Sequence, residues 1–407
     1  MTNYEELKWR GLIKDEAGDV ESLINKGGFT FYWGTDPTAD SLHIGHYSSL
    51  VTAKRLAKMG NHPILLIGGA TGLIGDPRPT AEREIISKDA VLHNVDAIKK
   101  QVTNIFDGNC EIVNNYDWMK NITLIDFLRD TGKYINVNYM LDKDIIRRRL
   151  ETGITFAEFT YTLMQGYDFL HLFKEKNCVL QAEGSDQWGN ITTGIDLIKK
   201  VEGKDAYAFT MPLILDENGK KFGKSEGNAI WLDKNKTSSY ELYQFLINAS
   251  DTKVEEYLKV YTFLTPDQII DIMKKHNEKP ELHIAQKALA KEIITDLHGK
   301  EEYNHALNLS EALFSGNIKD FNSKDIESVF KGMPIFKGEN KNLVETLVDN
   351  KICSSKREAR EFIGNGAISV NGDKVTDLDY LVSKDKSIDN KYTVIRRGKK
   401  KYFIISF

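Results

Sequence analysis

Cysteine, long apolar runs and the common nucleotide motifs are what this chain lacks, and each absence closes off a class of protein. Only three cysteines occur, Cys110, Cys178 and Cys353, far apart and without CxxC spacing. That excludes a disulfide framework and a cysteine-built zinc site, and it suits a reducing compartment. No stretch of about 18 apolar residues exists, so no membrane-spanning helix is expected. The first residues, MTNYEELKWRGLIKD, are charged and contain no apolar core of the kind found in secretory signals. A cytoplasmic location is the expectation. The loop after HPILLIGG is no phosphate loop, since it lacks a Gly-Lys-Ser/Thr ending, and it holds no dinucleotide GxGxxG. Nor do the glycine-bearing loops carry a Ser-His-Asp or Cys-His set.

What is present is ordinary in bulk and uneven in distribution. A 41% hydrophobic and 28% charged composition over 407 residues can bury a large core and suits two or three domains. The net charge of −4 conceals a split: residues 351–407 carry 13 Lys and Arg against 7 Asp and Glu, or +6, leaving −10 for the remainder. An acidic body with a basic tail points the tail towards a polyanion.

The chain is organised around FTFYWGTDPTADSLHIGHYSS at 29–49, where a strand-like run stops at Gly34 and a loop leads into a helix. A helix N-terminus there offers backbone N–H groups and a positive dipole end to an anion. His43 and His46, three apart, would share a face, and Gly45 between them would admit a flat ring or a phosphate. A helical His-x-x-His is, taken alone, more often a packing feature than a site. The pattern then repeats. HPILLIGG runs into a loop holding Gly68, Gly69, Gly72, Gly75 and Asp76, and VLQAEG runs into the loop Glu183 to Gln187. MPLILD precedes ENGKKFGKSEGN, whose Lys220, Lys221 and Lys224 could close over a phosphate. Strand alternating with helix predicts a Rossmann-like parallel α/β sheet with ligands beyond its carboxyl ends. Within the helical stretch 120–176, Arg147-Arg148-Arg149 reads as an exposed basic run. Residues 237–330 turn helical with almost no glycine, 331–342 read as a linker, and 343–407 as a small α+β domain with a hairpin turn at Asn371-Gly372. On this reading the catalytic domain spans 1–236. SSKREAREFI puts Lys356, Arg357 and Arg360 near one helix face.

HIGH at 43–46 and KFGKS at 221–225 resemble the two signatures of class I aminoacyl-tRNA synthetases. TFYWGTDPTADSLHIGH, ATGLIGDP, YTLMQGYDFL and GSDQWGN are similar to the bacterial tyrosyl branch of that family, and the tail resembles a small RNA-binding module shared with a ribosomal protein. The resemblance implies activation of tyrosine by ATP, with Mg2+ accompanying the nucleotide and no protein-bound metal, followed by transfer to tRNA, in a homodimer. It implies that Thr38 and His43 face the γ-phosphate, His46 the ribose region of the nucleotide, and Lys221 and Lys224 the departing pyrophosphate. Gly34, Asp36, Gly45, Gly184, Asp186 and Ser225 would join His43, His46 and Lys224 around ATP. It further implies Tyr32 and Asp168 at the phenolic hydroxyl, Asp76, Tyr161 and Gln165 at the ammonium group, Gln187 at the carboxylate, and Asn115 in the same tyrosine pocket. Helical spacing alone would make YTLMQGYDFL an ordinary core helix, yet Gln165 and Asp168 interrupt its apolar face. After GDP the family often carries a lysine; this chain reads RPTAER, leaving Arg78 or Arg83 to supply the charge. Two other readings remain, a nucleotidyltransferase and a silent RNA-binding relative. The first has no use for a helical domain and basic tail; the second has no use for the intact set of site residues.

Overall fold

The computed structural model describes residues 1–77, 86–150, 153–225, 228–398 and 401–407, the side chains at 145, 224, 225 and 228 excepted. The chain divides into two units, Met1–Thr237 with Ala249–Ile293, and Ser238–Asn248 with Ile294–Phe407. The helical stretch 237–330, read from sequence as one domain, is therefore shared between them.

The first unit is built on a six-stranded sheet. Its strands are β1 (Glu16–Ala17), β2 (Thr30–Thr35), β3 (His62–Ile67), β4 (Glu111–Asn114), β5 (Cys178–Gly184) and β6 (Tyr207–Met211), in the order β1-β6-β5-β2-β3-β4. All pairs are parallel except the antiparallel edge β1. Phe31, Tyr32 and Trp33 on β2 and Ile64 to Ile67 on β3 are buried in unbroken runs. That continuity is the mark of a parallel sheet covered on both faces. From β2 the chain steps outwards to β3 and β4, then returns to build β5 and β6 on the other side. The order thus reverses between β2 and β5, where α/β sheets open their ligand crevice. Those two strands part after the pair Tyr32↔Gln181. Each stays bonded to its outer neighbour beyond that point, through Thr35↔Ile67 and Gly184↔Met211.

Helices fix the loops that follow the strands. Ile44–Lys58 succeeds β2, Lys88–Ile105 precedes β4, and Phe156–Lys176 lies beneath the site. The last opens on a capping box, Thr155 with Glu158, and closes on Asn177 in the left-handed region. Glu158 also grips Arg149 through two hydrogen bonds of 2.9 and 3.0 Å, and both side chains are buried. The arginine run expected to be exposed is so only at Arg147 and Arg148. At about 100° per residue a helix cannot turn three consecutive side chains to one face, and the third points inwards. No helix among the described residues is long and apolar enough to cross a membrane.

Also in this unit, β7 (Lys224–Ser225) and β8 (Asn228–Ala229) form a small ladder. In the second unit, β9 (Ile335–Lys337), β10 (Lys341–Asn342), β11 (Ile368–Val370), β12 (Asp373–Lys374), β13 (Leu381–Val382), β14 (Tyr392–Arg397) and β15 (Lys401–Ser406) form a five-stranded sheet, β12-β11-β14-β15-β9, and a two-stranded one. Asn371 and Gly372, at φ 51° and 89°, make the expected hairpin turn. The linker reading of 331–342 is corrected: β9 pairs in parallel with β15. Ile335, Phe336 and Lys337, followed by Gly338, form a short sheet edge with its first and last residues exposed. Tyr392, Val394 and Ile404 share a core with Leu309, Ile318 and Ile326, so the 343–407 segment and the helices before it bury one apolar surface.

Candidate active site

The crevice between β2 and β5 opens into a cavity of about 730 Å³. Loops distant in sequence line it: Gly34, Asp36 and Thr38; His43, Gly45 and His46; Asp76; Gly184, Asp186 and Gln187; and Lys221. Tyr32, Tyr161, Gln165 and Asp168 complete the wall. Asn115 is fully buried behind it. Arg78 and Arg83 lie outside the described residues, as do the side chains of Lys224 and Ser225.

At the head of the first helix, His43 is the N-cap and His46 stands at the third position, forming a reciprocal capping box. The Nδ1 of His43 accepts from the Gly45 N–H at 3.1 Å, and that of His46 from the His43 N–H at 3.3 Å. Ile44 N–H donates to the Ile230 carbonyl at 2.9 Å. The helix end therefore has its first N–H groups engaged, and the expectation that they wait for an anion is corrected. Donor capacity passes to the rings instead: with Nδ1 accepting, each neutral imidazole carries its proton on Nε2. The rings lie 3.9 Å apart. Gly45 is glycine for a related reason, since a Cβ there would sit 2.9 Å from His43 Cε1; the flat ring it admits belongs to the protein.

The glycines of the loop after β3 are likewise occupied by the protein itself. A Cβ on Gly68 would strike the Asp36 carboxylate, one on Gly69 the Asn114 amide, and one on Gly72 the Pro37 ring. These glycines let the loop nest against its own protein. Asp36, placed by resemblance at ATP, accepts from Thr71 Oγ1 at 2.7 Å and from the Tyr161 hydroxyl at 2.9 Å. Tyr161, expected beside Asp76, is thus held by Asp36. Asp76 accepts from Gln187 Nε2 at 3.0 Å and Asn190 Nδ2 at 3.3 Å, so the side chain expected at a carboxylate is turned to a carboxylate of the protein.

The inner end of the cavity is where polar groups remain unmatched. Tyr32 Oη and Gln165 Oε1 are buried with no partner, an arrangement that costs free energy unless something fills it. Beside them Asp168 accepts from Asn115 Nδ2 at 2.9 Å and from Trp118 Nε1 at 2.8 Å. Burial nonetheless raises its carboxyl to about 7. Burial, with the neighbouring carboxyl groups of Glu183 and Asp168, also drives the Tyr32 hydroxyl well above the usual phenol range. A hydroxylated ring offers both a donor and an acceptor to such a pair.

Lys221 sits at the outer end. Its neighbour Phe222 packs against Tyr257 and Tyr261, with ring centroids 4.1 and 5.6 Å away, and Tyr261 stacks on Tyr47 of the His43 helix at 6.0 Å. Gly223, at φ 81°, leaves no room for a side chain beside Ile44. Thr71, Trp118 and Asn190 escaped the sequence reading, and Glu183 was named there only as the start of a loop. Trp118 carries no local signal, whereas Glu183, a carboxylate closing an apolar strand, could have been found from that pattern alone.

Residues 25–315 match the model of the family described as tRNA synthetases class I (W and Y), and residues 325–405 that of the tyrosine–tRNA ligase SYY-like C-terminal domain. The chain is 49% identical over 419 aligned residues, with full coverage of both chains, to the tyrosine–tRNA ligase of Streptococcus pyogenes serotype M49 strain NZ131. Among solved structures it resembles a C-terminally truncated mitochondrial tyrosyl-tRNA synthetase of Aspergillus nidulans, with 34% identity, TM-score 0.69, and coverage of 77% of this chain and 94% of that one. A similarly truncated mitochondrial tyrosyl-tRNA synthetase of Coccidioides posadasii follows at 30% identity and TM-score 0.68, covering 76% and 91%.

Proposed function

The chain belongs to the class I tRNA synthetases of the tryptophan and tyrosine group, and on that premise we propose how its residues share out the work of a tyrosine–tRNA ligase. Tyrosine's carboxylate attacks the α-phosphorus of ATP, which enters with Mg2+, and pyrophosphate leaves. The 3′-terminal hydroxyl of tRNA then attacks the aminoacyl carbonyl and AMP departs. No bond to the protein forms, so positioning and charge stabilisation supply the acceleration.

In this reading Tyr32 and Asp168 receive the phenolic hydroxyl. The unmatched Tyr32 Oη is the observation that carries it. Gln165 accepts from the ammonium group, aided by the negative charge of Asp36 and Asp76. Asn115 serves by orienting Asp168 rather than by touching substrate. Gly184 and Asp186 hold the ribose, Gly34 and Gly45 lie along the nucleotide's wall of the cavity, and Gln187 turns from Asp76 to the substrate carboxylate. Thr38, the Nε2–H groups of His43 and His46, and Lys221 with Lys224 and Ser225 neutralise the phosphates as charge moves onto the leaving group. Arg78 or Arg83 supplies further positive charge.

Lys356, Arg357 and Arg360 of the basic tail bind tRNA, and the chain works in the cytoplasm. Leu124, Ile125, Leu128, Val137 and Phe156 are large exposed apolar side chains, which supports a homodimer. Tyrosine-dependent exchange of pyrophosphate into ATP tests the whole reading. Exchange with tyrosine and not with tryptophan or phenylalanine is expected; none with tyrosine would reject it.

A further inference from the structure

At the point where β2 and β5 separate, one side chain spans the gap. Glu183, at the end of β5 and 6% exposed, accepts the Gly34 N–H on Oε1 at 2.5 Å. Main-chain pairing between the strands has ended two residues earlier at Tyr32↔Gln181. The donor that the ladder would have satisfied is met by a carboxyl group instead. Gly34 leads into the loop of Asp36 and Thr38, and Glu183 leads into Gly184 and Asp186. All of these line the cavity.

We propose that Glu183 is a positioning residue for the nucleotide, a strut across the splayed strands that fixes the spacing between the loop after Gly34 and the loop after Gly184. The proposal rests on the reading of the cavity as the site of tyrosine activation. Burial raises the Glu183 carboxyl well above the usual range, and the negative charges of Asp186 and Asp36 add to that. Burial thus favours the protonated acid in the strut, one of whose oxygens accepts from Gly34. An ionised carboxylate in its place would face the two aspartates and repel the phosphates between the loops. Tyrosine's own contacts lie below the strut: Tyr32 is pinned by pairing to both Gln181 and Ile64. Losing the strut should thus disturb ATP and leave tyrosine in place.

The test uses the full chain in pyrophosphate exchange, with tyrosine binding measured separately at equilibrium. Glu183→Gln keeps the acceptor, the shape and a neutral donor; Glu183→Ala removes the bridge. An ångström-scale loop misplacement costs up to about a hundredfold, so a drop of about tenfold or more in kcat/KM for ATP is expected for Glu183→Ala. Tyrosine affinity should stay within about twofold, and Glu183→Gln should restore ATP use to within about threefold of the parent. Parent-like ATP kinetics in Glu183→Ala would overturn the proposal. So would a Glu183→Gln as impaired as Glu183→Ala, or an equal loss for both substrates with a lowered melting temperature. An unaltered chain without tyrosine-dependent exchange would bring down the site reading and the strut with it, a failure distinct from the other three.

Discussion

Asn115 donates its side-chain amide to Asp168 Oδ2 at 2.9 Å while its own Oδ1 accepts the Ala70 N–H at 2.7 Å. The backbone donor fixes which way the amide faces, so the NH2 group must point at the carboxylate. A loop after β3 thereby orients a side chain on the helix Phe156–Lys176, and the carboxylate is aimed before any ligand arrives.

Asp168→Asn should raise the KM for tyrosine and relax the exclusion of phenylalanine, read from exchange kinetics with each amino acid. Tyrosyl-tRNA synthetase is itself a standard example of a site that rejects an analogue lacking a hydroxyl, because its buried partners would be left unpaired. Unchanged selectivity would remove Asp168 from the phenol site.

The same residue sets a pH dependence of stability. Its carboxyl titrates near 3.8 when unfolded and about 7 when folded. The folded state binds the extra proton between those values, so this contribution to stability is complete below the lower and lost as pH rises through the upper. The melting temperature of Asp168→Asn relative to the parent should therefore climb from about pH 5 to about pH 7 and level off above, as differential scanning at a series of pH values would reveal.

Gly223→Ala should be far more damaging than its size suggests. The φ of 81° is strained for alanine, and a methyl group would run into Ile44 Cγ2 at the head of the His43 helix. Single-turnover adenylate formation should slow by about tenfold or more, with tyrosine affinity changed less than about twofold. Equal losses in both would place the damage elsewhere.

Lys221→Ala and Lys224→Ala should each slow activation by roughly a hundredfold while leaving tyrosine binding nearly intact, the pattern for contacts made as the transition state forms. A change confined to tyrosine affinity would contradict it.

Arg357 and Arg360 are exposed on the helix Lys356–Gly364. Reversing both to glutamate should weaken tRNA charging and flatten its salt dependence while sparing exchange, since each lost phosphate contact lowers the salt slope by somewhat under one unit. Deleting 343–407 is a poorer probe, because it would strip Tyr392, Val394 and Ile404 from the core they share with Leu309 and Ile326.

Much of the catalytic body was legible beforehand because its physics is local. Apolar runs ending in glycine mark the strands of a parallel sheet, and the loops after β2, β3 and β5 do meet at one cavity. Partnership was not legible. Tyr161 with Asp36, Asp76 with Gln187 and Asn190, and Arg149 with Glu158 join positions that periodicity treats independently. Glycines mislead in the same way, because a residue that grants space does not say who takes it: Gly45 and Gly68 serve His43 and Asp36. The edge strand Ile335–Lys337 was missed because three residues beside a glycine and a proline look like a tether until the sheet they extend is known.

Phe222 rests between Tyr257 and Tyr261, and Tyr261 lies flat against Tyr47. No descendant of this chain could trim Val254–Tyr261 without unseating the lysine-bearing turn from the histidine helix. Evolution would find that short helix harder to discard than many residues nearer the chemistry.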